Sequence, residues 1–582
     1  MFKLFKKQPK PEDLTTPAEG NVKPTVLIIL DGFGVAPDSK GNAITQAKTP
    51  YIDQLKQNYP YAELVASGES VGLPANEVGN TEVGHLTMGA GRSIFQSLER
   101  INKQIENGLF FQNKAFLQAV EHVTKNNSAL HLIGLIGSGN VHSSIKHFYA
   151  LLKFCKQREI QKVFIHVITD GRDSPPDDGV KVITKLEEFL KTQSSAKIAT
   201  VSGRYYAMDR DKRWERIQKA YEAMVLGKGL TTQSAVQAIN NSYAKEKTDE
   251  FIEPTVITGQ NGPVGLVSDN DAAIFFNFRI DRPRQLTMAF MLENFETIKA
   301  FDFGYVPEAK KLEGEVKIKK TFTRGKVPKN LFFATMTEYQ KNIPVSAIAF
   351  GDPEIPKPMT EVISTAGFRQ LHLSESEKER FITYYFDGFR ETKLKGEDVV
   401  IVPSPKVPTY DKKPQMSVFE VAKEFEKAIS RKVYHFVVVN LANLDMVAHS
   451  GNIKKTIKAA EHVDKALSQM INKVLSVDGT AIVTADHGNA EEMLTFSGQS
   501  YYFTTKTGDR NTDHSNNLVP MIVIGNKYKG AQQKLQKGSL CDIAPTLLKV
   551  MGLPIPSEMK GKDLFSNPES NGKPSSDFEI YY

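Results

Sequence analysis

The stretch VLIILDGFG, residues 26–34, joins a run of aliphatic side chains directly to an aspartate and two glycines. An uninterrupted aliphatic run of this length is typical of a strand that is buried on both faces. The same pattern, an apolar run that ends in glycine and polar residues, recurs at residues 130–137, 163–169, 198–201, 273–278, 436–440 and 481–485. Strands of this kind are the elements of parallel sheets, so the pattern predicts an α/β fold.

Helical segments separate the predicted strands. The clearest spans residues 453–475, where apolar side chains recur every three or four residues, at Ile453, Ile457, Ala460, Val463, Leu467, Met470 and Val474. This spacing predicts an amphipathic helix whose apolar stripe packs in the core. In open sheets built from alternating strands and helices, ligands bind beyond the carboxyl ends of the strands. We therefore look for functional residues in the loops that follow the predicted strands.

Composition limits the classes of function. The chain has 582 residues, which predicts at least two domains, and its hydrophobic fraction of 40% is ordinary for a globular protein. The formal net charge of +7 is spread without a basic block, which favours a small anionic ligand over nucleic acid. No apolar run approaches the length of a membrane span, so no membrane partner is expected. Two cysteines, Cys155 and Cys541, give no disulfide framework and indicate the cytoplasm.

The loops after the predicted strands fall into two chemical classes. Both ends of the chain supply Asp and His, whereas residues 130–290 supply Arg. We therefore predict a metal-binding domain formed by both chain ends, with an anion-binding domain inserted between them. The Lys- and Gly-rich residues 303–330 are interpreted as a linker near the second crossing between the domains.

The Asp and His residues form a candidate metal site. LDMVAH places Asp445 and His449 four residues apart, as neighbours on one helical turn. TADHGNAE places Asp486 next to His487 just after a strand, and DHS places His514 in a loop. Asp31 ends the first predicted strand. Any one of these could be a turn residue or a helix cap. Together, carboxylate and imidazole ligands without thiolates favour Mn²⁺ or Zn²⁺, and six such side chains suffice for a pair of ions.

The heptad GNTEVGH, residues 79–85, leaves two interpretations of Thr81 open. A threonine before a helix-compatible run is a favoured N-cap. A threonine hydroxyl that is coordinated by a metal ion is also a competent nucleophile at neutral pH. If Thr81 begins a helix, the backbone N–H groups there would help to hold a phosphate group.

The arginines of the middle segment form a candidate anion site. They follow predicted strands and comprise Arg172, Arg204, Arg210, Arg279 and Arg282. A guanidinium group binds carboxylate and phosphate through a planar fork of donors, so several arginines suit a ligand that carries both groups. His142 and Asp173 lie in the same loops and could transfer protons or orient a hydroxyl group.

These motifs resemble one enzyme family over residues 25–564. They include LDGFG, GNTEVGH, GNVHS, DGRDSPP, VSGRYYAMDRDKRWER, FFNFRIDR, PSPKVPTYDKKPQMS, NLDMVAHSG, TADHGNAE and CDIAPTLL. The chain resembles the cofactor-independent (2,3-bisphosphoglycerate-independent) phosphoglycerate mutases of the alkaline phosphatase superfamily. The resemblance implies interconversion of 3-phosphoglycerate and 2-phosphoglycerate in glycolysis and gluconeogenesis, through a phosphoenzyme and without bisphosphoglycerate. It also implies a monomer.

The resemblance assigns roles residue by residue. Asp445, His449 and His514 would hold one Mn²⁺, and Asp31, Thr81, Asp486 and His487 the second, although other divalent ions could serve. Substrate would be bound by His142, Arg172, Asp173, Arg204, Arg210, Arg279, Arg282 and Lys378. Asp173 would carry the proton of the glycerate hydroxyls, and Lys378 would offset phosphate charge in the transition state.

The resemblance also refines the domain boundaries. Residues 23–95 and 331–566 would form the phosphatase-like metal-binding domain, and residues 96–330 the inserted substrate-binding transferase domain. Residues 1–22 are expected to be a flexible extension and residues 567–582 a loose tail.

This chain departs from the family pattern at the nucleophile position, where the family has serine and this chain has Thr81. The added methyl group restricts the side-chain rotamer, and we expect activity to be retained through a phosphothreonine. Ser144 also stands where the family often has a second histidine, so no role is assigned to it. Two alternatives remain: a phosphomonoesterase or a mutase for another phosphorylated substrate, and a non-catalytic metal-stabilised binding protein.

Overall fold

The structure, a computed structural model, describes residues 22–191, 196–302, 305–306, 311–312, 315–318, 320–495, 508–530 and 534–565. The chain divides into two compact units. The first unit comprises Met1–Phe95 and Glu354–Tyr582, and the second comprises Gln96–Pro353. In the order of the chain, the second unit therefore lies between the two segments of the first.

The second crossing between the units differs from the prediction. Strand Phe332–Thr335 pairs in parallel with Ala272–Phe275, so it belongs to the sheet of the second unit. The predicted boundary at residue 331 is therefore wrong, and the chain returns to the first unit at Glu354. No clear sequence signal marked this strand, because FFAT is only four residues long and comes just after the Lys- and Gly-rich segment.

Residues 303–330 are also not a linker between the units. Strand Glu315–Lys317 pairs with Ala300–Asp302, and Ile318 and Phe322 are buried in an apolar cluster of the second unit. Arg324 is buried and pairs with the carboxylate of Glu296 at 2.6 Å. The flexible extension predicted for residues 1–22 lies outside the described residues except for residue 22, and the loose tail predicted for residues 567–582 lies wholly outside them.

The first unit is built on an eight-stranded sheet. In spatial order its strands are Glu397–Val402, Gln370–Glu375, Phe436–Leu441, Thr25–Leu30, Thr480–Thr484, Val519–Ile524, Tyr61–Val65 and Gly538–Ser539. The first five are mutually parallel, and Val519–Ile524 runs antiparallel to both of its neighbours. Every residue of Thr25–Leu30 is buried, as its uninterrupted aliphatic run predicts.

Helices cover this sheet. They are Pro50–Asn58, Thr81–Ala90, Met359–Thr365, Val418–Ser430, Asn443–Ala448, Ile453–Ser476 and Ile543–Val550, with a π-helical turn at Phe381–Tyr385. Ile453–Ser476 confirms the helix predicted for residues 453–475. Val463, Leu467, Met470 and Val474 of its stripe are buried in the core of the unit.

The second unit is built on a nine-stranded sheet. Its main path runs Ala347–Ile348, Phe332–Thr335, Ala272–Phe275, Leu130–Ile136, Val163–Thr169, Ala196–Gly203, Thr255–Gly259 and Leu230–Thr232, and Gly262–Pro263 pairs with Thr255–Gly259. The first six of these strands are parallel. Their carboxyl ends therefore meet at one edge of the sheet.

The helices of the second unit are Ser97–Glu106, Lys114–Asn126, Ile145–Gln157, Gly179–Leu190, Arg204–Ala207, Trp214–Leu226, Ala235–Tyr243 and Arg284–Met291. Shorter hairpins pair Tyr305–Val306 with Lys311–Leu312 in this unit, and Leu494–Thr495 with Asp509–Arg510 in the first unit. Among the described residues, no helix is both long enough and apolar enough to cross a membrane.

Candidate active site

The candidate site of the first unit lies at the carboxyl ends of its parallel strands. Asp31 follows strand Thr25–Leu30 directly, and Asp486 comes two residues after Thr480–Thr484. Asp445 lies in helix Asn443–Ala448, which begins just after strand Phe436–Leu441. All three carboxylates are completely buried. Parallel pairing of the three strands brings Asp31 together with Asp445 and Asp486, which lie more than 400 positions further along the chain.

Thr81 is the first residue of helix Thr81–Ala90, and the N-cap is Asn80. The Asn80 side chain accepts a hydrogen bond from the backbone N–H of Val83 at 3.1 Å. The interpretation of Thr81 as the cap is therefore wrong, because its neighbour performs that role. The Thr81 hydroxyl is instead buried against two polar side chains, 3.0 Å from Lys378 Nζ and 3.0 Å from His487 Nε2.

Lys378 connects Thr81 to the carboxylates. Its Nζ donates to Asp31 Oδ1 and to Asp445 Oδ2, each at 2.8 Å, and the residue is only 1% exposed. Burial acts to lower the pKa of Lys378, but the two carboxylates outweigh it and raise that pKa above its ordinary value. The ammonium group is therefore a fixed positive charge beside the Thr81 oxygen.

One ammonium group does not balance three buried carboxylates. Burial, followed by repulsion from Asp486, raises the pKa of Asp31 to about 7. Burial alone would also raise the pKa of Asp445, but Lys378 holds that pKa well below its usual range. Asp486 Oδ2 is buried without a hydrogen-bond partner among the described residues. The site therefore carries excess buried negative charge, which a bound cation would neutralise.

Three histidines complete this cluster. His449 Nε2 and His514 Nε2 lie 3.1 Å and 3.3 Å from Asp445 Oδ1. His487 Nε2 lies 3.6 Å from Asp31 Oδ1 and 3.5 Å from Asp486 Oδ2. Burial lowers the pKa of His487 to about 3, so its imidazole is neutral near pH 7 and can act as a ligand.

The donor set fits divalent cations. The groups Asp445–His449–His514 and Asp31–Asp445–His487 each place one potential ligand atom per residue within 4.8 Å of the others. Such spacing allows one ion to contact all three atoms, and oxygen with imidazole nitrogen is a donor set that Mn²⁺ and Zn²⁺ accept. His449 is partly exposed at 35% of its side chain, so the Asp445–His449–His514 group is reachable from solvent.

Sequence reasoning missed several residues that support this site. His85 Nδ1 lies 2.9 Å from the Thr81 carbonyl oxygen and 3.4 Å from Asp486 Oδ2. Asn440 donates to Asp31 Oδ2 at 2.7 Å, and Asn489 donates to Asp445 Oδ1 at 3.0 Å. The spacing of four residues between Thr81 and His85 on one helix was a usable signal. The two asparagines gave none, because their partners are remote in sequence.

The candidate site of the second unit is formed in the same manner. His142, Asp173 and Arg204 lie in segments that follow strands Leu130–Ile136, Val163–Thr169 and Ala196–Gly203. Arg204 Nη1 donates to Asp173 Oδ2 at 2.5 Å, and His142 Nε2 lies 3.7 Å from the same oxygen. Burial opposes ionisation of Asp173, but Arg204 outweighs it and lowers the pKa of that carboxyl.

Three further arginines gather near these residues. Arg210 Nη1 donates to Asp281 Oδ2 at 3.0 Å, and Arg279 Nε lies 3.5 Å from Asp281 Oδ1. Burial, together with the charges of Arg204 and Arg210, lowers the pKa of Arg282. Crowded guanidinium groups repel one another, so an anion bound among them would be stabilised. The structure therefore brings together the predicted basic residues of this unit.

Arg172 is the most exposed member of the predicted set, with 55% of its side chain accessible, and it lies 3.7 Å from Glu250. Two acidic residues were missed in this unit. Asp170 is buried, and its Oδ1 accepts from Arg204 Nη1 at 2.6 Å and from the Asp173 N–H at 3.1 Å. The second is Asp281 in the motif FRIDR, in which only the two arginines were predicted to have a role.

Family models match both parts of the chain. The model described as "BPG-independent PGAM N-terminus" matches residues 101–341, and the model described as "Sulfatase" matches residues 404–553. With the two α/β sheets and their buried polar clusters, these matches define a class, the α/β enzymes of the alkaline phosphatase superfamily that carry an inserted second unit.

Full-length relatives define the family within this class. The chain is 43% identical over 545 residues to the 2,3-bisphosphoglycerate-independent phosphoglycerate mutase of Clostridium beijerinckii. The match covers 94% of this chain and 99% of that protein. It is 43% identical to mutase 1 of Methanosarcina acetivorans, over 93% of this chain and 98% of that one. The chain belongs to the 2,3-bisphosphoglycerate-independent phosphoglycerate mutase family and is an isomerase.

A solved structure agrees with this assignment. The crystal structure of Leishmania mexicana phosphoglycerate mutase at low cobalt concentration is 28% identical and has a TM-score of 0.61. The match covers 93% of this chain and 97% of that one. The predicted α/β architecture and the family resemblance are both confirmed.

Proposed function

We propose that the chain interconverts 3-phosphoglycerate and 2-phosphoglycerate without bisphosphoglycerate, through a phosphoenzyme on Thr81. The observation that carries the proposal is the position of the Thr81 hydroxyl, 3.0 Å from Lys378 Nζ and 3.0 Å from His487 Nε2. Membership of the mutase family supports the substrate pair, because relatives with 43% sequence identity are named as 2,3-bisphosphoglycerate-independent phosphoglycerate mutases.

The position of Thr81 in the helix supports its role as phosphate acceptor. As the first helical residue it lies at the N-terminus of its helix, where the helix dipole favours an anion. Lys378 supplies a full positive charge at the same place, so it would stabilise the charge of the transferring phosphoryl group. Threonine keeps the hydroxyl of serine, and its methyl group fits a site in which only 2% of the residue is exposed.

We assign Asp445, His449 and His514 to one Mn²⁺, and Asp31, Thr81, Asp486 and His487 to a second. The excess of buried carboxylates supports this assignment, and the spacing of ligand atoms groups Asp445 with His449 and His514, and Asp31 separately with His487 and with Asp486. Bound divalent ions would lower the pKa of a coordinated hydroxyl group and draw charge from the phosphoryl oxygens. The ligand carboxylates would be oriented by their contacts with His85, Asn440 and Asn489.

The basic cluster of the second unit is assigned to the substrate. Its members are His142, Arg172, Arg204, Arg210, Arg279 and Arg282, and Lys378 of the first unit is assigned to the phosphate. A phosphorylated hydroxy acid carries a carboxylate as well as a phosphate, and paired guanidinium forks suit both groups. Asp173 is assigned as the carrier of the glycerate proton, because Arg204 keeps it ionised while His142 lies beside it.

The setting of the reaction is also proposed. A metabolic enzyme with two free thiols, Cys155 and Cys541, suits the reducing cytoplasm. The family resemblance supports a monomer, and sedimentation of the purified chain measures this directly.

The test compares the wild type with Thr81→Ala and Thr81→Ser, assayed with Mn²⁺ and without bisphosphoglycerate. The wild type and Thr81→Ser should convert 3-phosphoglycerate, whereas Thr81→Ala should not. Thr87→Ala is the matched control, because Thr87 is a buried threonine of the same helix and has no assigned role. Equal conversion by Thr81→Ala would remove the phosphoenzyme route, and release of inorganic phosphate as the main product would favour a phosphomonoesterase.

A further inference from the structure

A second carboxylate faces His142 from the side opposite to Asp173. His142 Nδ1 lies 3.6 Å from Asp281 Oδ1, and His142 Nε2 lies 3.7 Å from Asp173 Oδ2. His142 and Asp281 are 3% and 5% exposed. The imidazole ring therefore lies between two carboxylates, one of them buried with it.

The backbone holds this arrangement in place. The N–H groups of Phe278 and Arg279 donate to the carbonyl oxygen of His142 at 2.9 Å and 3.3 Å. These bonds tie the loop that carries Asp281 to the loop that carries His142. Asp281 is thus fixed beside the ring by main-chain contacts as well as by its own side-chain bond to Arg210.

The facing atoms make no hydrogen bond. Among the described residues, neither His142 Nδ1 nor Asp281 Oδ1 has a hydrogen-bond partner, and both atoms are buried, although Arg279 Nε forms an ion pair with Asp281 Oδ1 at 3.5 Å. Their separation of 3.6 Å is slightly longer than a hydrogen bond, and a small rotation of the ring would close it. Catalytic hydrogen bonds commonly shorten when substrate binds. Two buried polar atoms that face each other in this way are complementary if the proton is on Nδ1.

The number of protons on the ring then determines what it can do. A neutral imidazole has one N–H group, which satisfies only one of the two carboxylates, whereas an imidazolium has two and satisfies both. If Nδ1–H points to Asp281, the lone pair of Nε2 points to Asp173. The space between Nε2 and Asp173 Oδ2 is then a place where two acceptors can share one additional proton.

We propose that Asp281 is a positioning residue that holds His142 in the Nδ1–H tautomer, and that His142 Nε2 and Asp173 Oδ2 together form the site that carries the glycerate proton. This inference rests on the proposed mutase function. The site takes up one proton from solvent when the anionic substrate binds. When the Thr81 alkoxide takes the phosphoryl group, the site gives this proton to the freed glycerate oxygen. When the other hydroxyl attacks the phosphoenzyme, its proton returns to the site and Thr81 leaves again as the alkoxide, so the protons balance.

The surrounding charges are consistent with a site that does not retain the proton. The charged groups that face His142 are Asp281, Asp173, Arg204 and Arg279. Burial is the main cause that lowers the pKa of His142 to about 4, and the two arginines add to it while the two carboxylates oppose it. A neutral resting imidazole leaves Nε2 free to accept a proton.

The direct test is the tautomer of His142 in the wild-type protein, measured by ¹⁵N NMR with labelled histidine. His142→Gln identifies the signal. Protonation at Nδ1 is expected, and in Asp281→Asn the Nε2–H form should gain population. A wild-type His142 with its proton on Nε2 would contradict the proposal, whatever the activity of the enzyme.

The kinetic test distinguishes an effect of Asp281 on His142 from its effect on Arg210, which also bonds to it. Asp281→Asn should lower kcat by at least about tenfold and shift the pH dependence of kcat, because the proton site loses its orientation. Arg210→Gln is the matched control, since it breaks the 3.0 Å bond to Asp281 without touching His142. It should raise KM and leave the shape of the pH profile unchanged. Asp281→Glu should recover part of the lost kcat.

The outcomes distinguish this inference from the proposed function. If the wild type does not interconvert the phosphoglycerates, the proposed function fails and the tautomer remains to be judged by NMR. If the wild type is active and Asp281→Asn behaves like Arg210→Gln, with the original pH profile, Asp281 only holds the arginine and the inference is wrong. Circular dichroism of each variant checks that it is folded.

Discussion

Lys378 Nζ lies 3.0 Å from Thr81 Oγ1, although the two residues are 297 positions apart in the chain. The same ammonium group contacts Asp31 and Asp445, so it joins the hydroxyl to the carboxylates of the candidate metal site. A single buried charge thus contributes to the electrostatic balance of the carboxylates, and in the proposed reaction it would also stabilise the bound phosphate.

Lys378→Met should therefore affect both activity and stability. Loss of a fixed charge beside the transferring group should lower kcat by roughly 10²- to 10³-fold. Removal of one partner from a buried ionic cluster should cost about 3–5 kcal/mol of unfolding free energy, measured by denaturant titration without divalent ions. Lys56→Met is the control, because Lys56 lies over the Phe33 ring instead of in the carboxylate cluster. Unchanged activity in Lys378→Met would show that the ammonium group is purely structural.

Asn80→Ala tests how far the cap positions the nucleophile. Loss of its bond to the Val83 N–H should cost about 1 kcal/mol of stability, the usual value for a helix N-cap. Because Thr81 is the next residue, kcat should also fall, whereas Asn80→Asp should retain most of it. Asn113→Ala removes a comparable cap from helix Lys114–Asn126. It should lower the melting temperature with little change in kcat. Equal kinetic effects of the two cap variants would argue against a local role for Asn80.

Divalent ions should stabilise the protein through the clustered ligands. At a Mn²⁺ concentration of about 100 times Kd, the linkage relation gives about 2.7 kcal/mol, seen as a higher Tm in calorimetry. His449→Ala should weaken this response, because His449 belongs to one of the ligand groups. His462→Ala should preserve the response, since His462 belongs to none of the groups among the described residues. A Tm independent of Mn²⁺ and of chelator in the wild type would contradict the metal assignment.

Buried His166 should make the stability of the protein depend on pH. Burial, followed by the effect of His131, lowers the pKa of His166 well below 6.5. Below about pH 6.5 this histidine binds a proton in the unfolded chain but stays neutral in the folded protein. The contribution of His166 to the free energy of unfolding is therefore complete above that pH and is lost as the pH falls.

His166→Gln should flatten this dependence by up to about 1.4 kcal/mol per pH unit, the value for one proton, while lowering stability at neutral pH. The loss at neutral pH arises because His166 bonds to His131 at 2.9 Å and to Thr200 at 2.9 Å. Denaturant unfolding measured across mildly acidic to neutral pH gives the slope for each protein. An identical slope in the variant would show that His166 is not the group responsible.

The local elements of the fold were predictable from the sequence because buried strands and amphipathic helices leave a periodic pattern. The runs at 130–137, 163–169 and 436–440 become strands Leu130–Ile136, Val163–Thr169 and Phe436–Leu441. The boundary at residue 331 was not predictable, because a four-residue strand is too short to show a period. Only its pairing with Ala272–Phe275 identifies the unit to which it belongs.

The sequence by itself determined which chemical groups are present at the ends of the strands. Asp31, Asp486 and Arg204 each follow a predicted strand, so in parallel sheets they lie at the carboxyl ends. Tertiary structure alone decided which of them meet. In the folded protein Asn80 is the N-cap, and the Thr81 hydroxyl contacts Lys378 and His487. Tertiary structure also placed Asp281 against His142. The physical reason is that hydrogen bonds and charge pairs act over a few ångströms, and their partners here are brought together by strand pairing rather than by closeness in the chain.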